Sequence, residues 1–497
     1  MKKIKLICHK DFQIGKVDKR IYGSFVEHMG RVVYSGIYEP GHRTADEDGF
    51  RMDVMDAVQE LSISSVRYPG GNFVSAYHWE DGVGPRDKRP SKLEPAWKAL
   101  ETNEFGTDEF IRWCRKAGCS PMLAVNLGTR GIEEATQYLE YCNISSEGKY
   151  SRMRAEYGNP KPYGIKTWCL GNEMDGDWQI GHKEASEYGR LAAEVSKTMK
   201  IMDPSIETVL CGSSLNTMET FPDWEAVVLD KAYMFADYIS LHQYFGGQEK
   251  GSEAFLQQAD SMTAYIETVE AVCEYIRAKK RTDKRMYISM DEWGVWAHAP
   301  QETIRQADEK RWQKAPAISE MVYTFQDALL FSEMLMSILK KSDIVKMACQ
   351  SLLANVSAMI MTEEGGGLWK QTTYYPFMYM SRYGRGIVLD ARCDDKEREL
   401  DHVAVYDEES RELVIFAVNR NKNADLELAA ELFGFQAENV IEHAVYSSAD
   451  PFVTNQKNQA AVKPESCDSS CITKDGIISR LPAFSWNMIR IRIKDFE

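Results

Sequence analysis

No run of about 18 consecutive apolar residues occurs in this chain, so nothing in it reads as a membrane-spanning helix. The basic start, Met1-Lys2-Lys3-Ile4-Lys5-Leu6, lacks an apolar stretch behind it; Asp11 and Gln13 arrive too soon for a secretory leader. Acidic residues outnumber basic ones, 75 to 60. The formal net charge is -15 over 497 residues, which disfavours nucleic acid and anionic lipid as partners, because both are bound through a basic face. The usual phosphate and nucleophile motifs are missing as well. Gly365-Gly366-Gly367 has no Gly-Lys-Ser/Thr after it, and there is no Rossmann fingerprint, no His-Glu-x-x-His and no G-x-S-x-G elbow. Cysteines number 11, an odd count scattered singly, which suits a reducing cytosol better than a disulfide framework. Cys467 and Cys471 form a C-x3-C pair, but without a second pair nearby they do not make a zinc site. Asn143-Ile144-Ser145 and Asn355-Val356-Ser357 fit a glycosylation sequon that has no meaning in the cytosol. The expectation is a cytoplasmic protein with no metal and no cofactor.

What is present is an ordinary globular composition, 44% hydrophobic and 27% charged. From about residue 18 to 370, short β-like runs alternate with amphipathic stretches. Ser64 to Tyr68, Met122 to Asn126, Thr208 to Gly212 and Tyr238 to His242 read as strands. Asp108 to Ala117, Ile132 to Cys142, Glu184 to Met202 and Ser261 to Lys279 read as helices, with Thr107 as an expected N-cap and Gly118 as a stop for the first. Repeated β-then-α units predict a parallel sheet, and about eight of them predict a closed (β/α)8 TIM barrel. After about residue 375 helical patterning nearly vanishes. Leu413 to Val418 reads as a buried strand, and Ile489 to Lys494 alternates strictly, so an antiparallel β-sandwich is expected there. The predicted organisation is a barrel over 18–374 and a C-terminal β-sandwich over 375–497, with residues 1–17 adding a strand to the sandwich.

Two carboxylates carry the chemistry. Thr167-Trp168-Cys169-Leu170-Gly171-Asn172-Glu173 and Met286-Tyr287-Ile288-Ser289-Met290-Asp291-Glu292 each run as a strand-like stretch that ends at a glutamate before a turn signal. A glutamate at the C-terminal end of a barrel strand points into the mouth where such folds keep their active sites. Two glutamates facing each other there suit glycosidic bond cleavage: one protonates the departing oxygen, and the other attacks the anomeric carbon or activates water. The acid needs a raised pKa, and the partner needs surrounding donors. Taken singly, an Asn-Glu or an Asp-Glu-Trp is common and means little; the pair in a barrel-like chain carries the argument.

Other strand ends supply candidates for sugar contact. Arg67-Tyr68-Pro69-Gly70-Gly71-Asn72 sets a cation and an amide beside a tight Gly-Gly turn. Arg67 reads equally as a buried ion pair that orients a carboxylate. Asn172 offers an amide to a sugar 2-hydroxyl. Tyr244, near the end of its strand, reads as a pocket residue or as rim packing, and Glu27 is a third strand-end carboxylate. Trp97, Trp178 and Trp296 lie in or near loops after strands, where indoles stack on sugar rings or serve as plain core.

At these residues the chain resembles the α-L-arabinofuranosidases of glycoside hydrolase family 51. The matching stretches are Gly23 to Arg31, Gly36 to Gly41, Arg67 to Asn72, Trp168 to Lys183, Asp291-Glu292-Trp293 and Gln371 to Gly384. The resemblance implies a barrel with catalytic glutamates on strands four and seven, followed by a β-sandwich. It implies that Glu173 is the general acid/base and Glu292 the nucleophile of a retaining double displacement. Glu27, Arg67, Asn72, Asn172 and Tyr244 match positions that line the arabinofuranose pocket, and Trp97, Trp178 and Trp296 match aromatics at its entrance. It further implies an arabinose-containing oligosaccharide substrate, metal independence and a homo-oligomer, often a hexamer.

The chain departs from the family pattern in two places. Where the family carries Ala-Gln-x-Val-Asn-Val, this chain has Cys349-Gln350-Ser351-Leu352-Leu353-Ala354-Asn355-Val356. Aligning on Asn355-Val356 puts Leu352 at the glutamine position, with Gln350 two residues early. Either Gln350 takes over the contact through a shifted backbone, or the sugar differs. Gly294 stands where an asparagine is usual. The leading expectation is an exo-acting α-L-arabinofuranosidase. The alternatives are a β-xylosidase or β-1,4-glucan-cleaving hydrolase on the same scaffold, and a non-catalytic sugar-binding protein.

Overall fold

The computed structural model describes residues 1–297, 300–459 and 461–494. Eight strands form a closed barrel: β1 (Gly23–Phe25), β2 (Ser65–Tyr68), β3 (Ser120–Val125), β4 (Thr167–Leu170), β5 (Glu207–Cys211), β6 (Tyr238–Phe245), β7 (Tyr287–Val295) and β8 (Val345–Gln350). Each pairs in parallel with the next, and β8 returns to β1 through Cys349 opposite Gly23 and Gln350 opposite Ser24. β2 and β4 are buried along their whole length, as strands covered on both faces must be. The helices Thr107–Ala117, Ile132–Asn143, Ala185–Met202 and Ala259–Lys280 wrap the outside, with ends shifted by a residue or two from those read in the sequence.

Two local expectations are corrected. Gly106, not Thr107, occupies the N-cap of its helix; its N–H donates to Glu109 Oε2 at 3.0 Å, while Thr107 Oγ1 turns into the core and lies 2.9 Å from Tyr138 Oη. Gly118 ends that helix in the left-handed region at φ 76°. Helical structure also continues past residue 375, in Tyr374–Tyr383. This helix buries Tyr374, Pro376, Phe377, Met378, Met380 and Ser381, so most of its circumference is covered, and the aromatic density of Tyr-Tyr-Pro-Phe-Met-Tyr hides its period. It packs on the barrel helix Met52–Glu60: Tyr374 Oη donates to Glu60 Oε2 at 2.6 Å, and Ser381 Oγ donates to the Leu61 carbonyl at 2.6 Å.

The C-terminal sandwich stacks a seven-stranded sheet on a five-stranded one. The larger sheet is buried on both sides. Val403, Val405, Val414, Phe416, Trp486 and Met488 face the barrel core, while Leu413, Ile415, Ile489 and Ile491 face the smaller sheet. That explains why Glu412–Asn419 reads as a continuous apolar run, whereas the end of Ser485–Ile493 alternates where it passes the barrel's edge. The strand Lys2–His9 enters the smaller sheet with Ile4, Leu6 and Cys8 inward, and it pairs in parallel with Leu426–Phe433 in an otherwise antiparallel sandwich. Gln13–Lys16 joins the edge of the larger sheet, so the N-terminal segment contributes to both layers. Arg420, whose Nε lies 2.6 Å from Glu333 Oε1, ties the sandwich to the barrel helix Phe325–Leu339. All eleven cysteines are free, and most are buried. Among the described residues no helix is long and apolar enough to cross a membrane.

Candidate active site

Glu292 reaches the barrel mouth through an irregularity in β7. Relative to β6 the pairing runs Ser240–Ser289 and then His242–Glu292; relative to β8 it runs Met290–Ala348 and then Trp293–Gln350. Both neighbours therefore register one extra residue in β7, a bulge of the kind that re-aims a side chain. Asp291 and Glu292, though adjacent, consequently both turn inward. Glu173 arrives differently. β4 stops at Leu170, Gly171 turns the chain at φ 92°, and Glu173 itself sits in the left-handed region at φ 44°. Such a backbone is costly for a non-glycine residue and is concentrated at functional sites.

Glu292 is held from both sides. Arg67 Nη1 donates to its Oε1 at 2.6 Å, and Tyr244 Oη donates to its Oε2 at 2.8 Å. Arg67 also donates through Nη2 to Asn172 Oδ1 at 2.8 Å, and its Nε lies 3.7 Å from Asp291 Oδ2. One fully buried guanidinium thus binds residues of β7 and of the β4 loop at once, which only a planar fork can do. Glu173 receives Trp178 Nε1 at 2.7 Å on Oε2, and His242 Nδ1 lies 3.0 Å from Oε1. His242 Nε2 sits 3.2 Å from Asp291 Oδ1, and its Nδ1 is also 3.6 Å from Glu292 Oε2. A carboxylate oxygen of Glu173 and one of Glu292 lie within 4.8 Å of each other.

Charge on these groups follows from their surroundings. Burial would lower the His242 pKa, but Glu292, Asp291 and Glu173 outweigh it and push it up to about 10, so the ring carries a proton on each nitrogen near neutrality. Burial raises the Glu173 carboxyl and the charge of Glu292 adds to this; His242 and Trp178 pull back without cancelling the rise. Glu27, closed off from water and facing Glu292, is pushed up to about 8. The donor atoms of Glu173, His242 and Glu292 also satisfy the spacing of a cation site. A divalent ion there would have to displace a guanidinium and an imidazolium that already neutralise these oxygens.

The remaining candidates surround the pair. Glu27 Oε1 accepts from Phe73 N at 2.9 Å and from Trp97 Nε1 at 2.8 Å. Gly71 packs against that carboxylate: a Cβ there would stand 2.3 Å from Glu27 Oε2, so the Gly-Gly turn serves a protein carboxylate rather than open space for a ligand. Asn172 Nδ2 reaches Asn72 Oδ1 at 3.2 Å and Gln179 Oε1 at 3.3 Å. Trp296 stands edge-on to Tyr244 with ring centroids 5.3 Å apart. Each of the three tryptophans therefore touches a different polar residue of the mouth. Gln350 ends β8 buried, with Nε2 donating to the Ser357 carbonyl at 3.1 Å and Oε1 unpartnered; Leu352 is packed in the core. β8 thus ends at the buried amide of Gln350, while the side chain two residues later is core.

Three participants went unassigned in the sequence. His242 lies two residues before Tyr244 on β6, so strand alternation places both on one face, a legible signal. Asp291 is masked by the bulge. Gln179, buried and bonded to Ser75 Oγ as well as to Asn172, carries no local signal at all.

A parallel (β/α)8 barrel that sets two carboxylates this close at its C-terminal mouth defines a glycoside hydrolase scaffold. Comparison with known proteins narrows the class. Residues 57–284 match the family described as Alpha-L-arabinofuranosidase 1 domain, and residues 291–485 match Alpha-L-arabinofuranosidase C-terminal domain. The chain is 49% identical to an intracellular exo-alpha-(1->5)-L-arabinofuranosidase of Acetivibrio thermocellus, over 99% of this chain and 100% of the relative. It is 48% identical to intracellular exo-alpha-(1->5)-L-arabinofuranosidase 1 of Bacillus subtilis, over 99% of each chain. The solved structure of a family 51 alpha-L-arabinofuranosidase from Bifidobacterium longum superposes with a TM-score of 0.93 at 38% identity, covering 99% of this chain and 100% of that one. The chain belongs to the family 51 α-L-arabinofuranosidases.

Proposed function

We propose that this chain is a retaining, exo-acting α-L-arabinofuranosidase that removes terminal arabinofuranose from arabinan or hemicellulose oligosaccharides. Glu173 gives its proton to the glycosidic oxygen as the bond to the anomeric carbon breaks, and a Glu292 carboxylate oxygen bonds to that carbon. Glu173, now ionised, takes a proton from water; the water oxygen attacks the same carbon and Glu292 is released. The observation that carries this reading is the convergence of the two carboxylates on one pocket, an oxygen of each within 4.8 Å of the other, close enough for the direct attack by which retaining enzymes, with carboxyl groups about 5–5.5 Å apart, form a covalent intermediate. The charge pattern supports it: the carboxyl assigned as acid is raised in pKa, and its partner is held by an arginine and a phenol.

Glu27, Arg67, Asn72, Asn172, Tyr244 and Gln350 form the sugar-binding wall in this reading, and Trp97, Trp178 and Trp296 the entrance. A cytoplasmic location fits the intracellular relatives, and assembly into a homo-oligomer such as a hexamer extends the family resemblance. The β-xylosidase and β-1,4-glucanase alternatives find no favour among relatives of this identity. The test is a screen of aryl glycosides of arabinofuranose, xylose and glucose, with the anomer of the first-formed product followed by NMR. Hydrolysis of the arabinofuranoside with retention is expected, as are losses of orders of magnitude for Glu173→Gln and Glu292→Gln and rescue of Glu173→Ala by azide. Full activity of either glutamine variant refutes the assignment, and light scattering checks the subunit count.

A further inference from the structure

Ser351 holds no place in the reaction so far, yet its hydroxyl lies 2.7 Å from Tyr244 Oη, whose other neighbour is Glu292 Oε2 at 2.8 Å. A phenol has one hydrogen to give. If it pointed at Ser351, the carboxylate oxygen would face a phenol lone pair at 2.8 Å with no proton between them. If it points at Glu292, the phenol oxygen is free to accept, and Ser351 is the donor in reach. Burial and the charge of Glu292 keep the phenol protonated, so it remains a donor throughout the working pH range. We propose that Ser351 is a positioning residue for the nucleophile: it donates to Tyr244 Oη and thereby commits the only phenol proton to Glu292 Oε2.

The backbone around Ser351 is arranged for this. Its N–H donates to the Trp293 carbonyl at 3.1 Å, tying it to β7 beside the nucleophile, and the side chain is buried. Tyr244 continues the chain inward, and chained hydrogen bonds polarise one another: a phenol that accepts from Ser351 donates more strongly to the carboxylate. At a buried carboxylate that second bond helps to fix the position of Glu292 Oε2.

This rests on Glu292 being the nucleophile, as proposed above. The test compares Ser351→Ala, Tyr244→Phe and the double variant on an aryl arabinofuranoside whose glycosylation step limits the rate. Ser351→Ala is expected to lower kcat about fivefold with KM nearly unchanged, the effect of losing one ordinary hydrogen bond. In the Tyr244→Phe background the same substitution should add almost nothing. An unchanged kcat, or an equal loss with and without the phenol hydroxyl, overturns the proposal and leaves Ser351 a packing residue. Glu292→Gln measured alongside separates the two readings: if it is inactive while Ser351→Ala is silent, only this inference fails; if it is fully active, the assignment of the nucleophile fails first.

Discussion

Trp178 and Glu173 are joined within the loop that follows β4, the indole Nε1 donating to Oε2 at 2.7 Å. The indole is about half exposed, 47%, so this donor sits at the water's edge of the site. It favours the ionised carboxylate, and it opposes the burial that raises the Glu173 pKa. Trp178→Phe keeps an aromatic face and removes the donor. The Glu173 pKa should rise further, and the alkaline limb of the kcat/KM profile should move to higher pH. An alkaline limb left in place would mean that the indole does not act on the acid.

Arg67 bridges β7 and the loop after β4. Arg67→Lys keeps the charge but cannot reach Glu292 Oε1 and Asn172 Oδ1 together. A fall in kcat of about a hundredfold is expected, comparable to losing a preorganised donor at a charged centre. Arg67→Met should also cost about 3–5 kcal/mol of stability, because it strands the buried charges of Asp291 and Glu292. Steady-state kinetics and denaturant unfolding read the two effects separately.

His242 couples the site to pH. Its folded-state pKa, about 10, lies above the ordinary 6.5, so its contribution to stability is full below about pH 6.5 and is lost as pH rises through about 10. Melting temperatures of the parent protein and of His242→Gln, taken from pH 6 to 10, should converge as pH climbs. A gap that stays constant would show that the ring is neutral in the folded protein.

Glu27 behaves in the opposite sense. Its carboxyl is pushed from 4.5 up to about 8 by burial and by Glu292, so ionising it costs stability progressively across that window. Glu27→Gln keeps an Oε1 for both Phe73 N and Trp97 Nε1, which share a single acceptor oxygen. The variant should therefore gain melting temperature over the parent at pH 8 and show no gain near pH 4. Weaker sugar binding should accompany the gain if Glu27 accepts from substrate hydroxyls, and KM for the aryl arabinofuranoside reads that.

Much of the architecture is written in local periodicity. Alternating strand and helix patterns announce the barrel, the strict alternation of Ile489 to Lys494 announces a strand of the C-terminal sandwich, and Glu173 and Glu292 stand out as carboxylates that end apolar runs. These features depend on neighbours in sequence, so one chain suffices to read them. Tyr374–Tyr383 is the local exception, a helix whose period of buried residues is hidden because nearly every position is aromatic or apolar.

Tertiary structure decided the rest, because it turns on register between strands that meet only after folding. No local rule says that β7 gains one residue on both β6 and β8 just before Trp293, yet that extra residue turns the neighbours Asp291 and Glu292 to the same side. No pattern foretells that Lys2–His9 will lie parallel to Leu426–Phe433, or that Gln350 rather than Leu352 will end β8 at the mouth. Hydrogen-bond chains such as Ser351, Tyr244 and Glu292 join residues distant in sequence. Side-chain type and spacing determine which chemistry is available here; which oxygen receives which proton is settled only when the barrel closes.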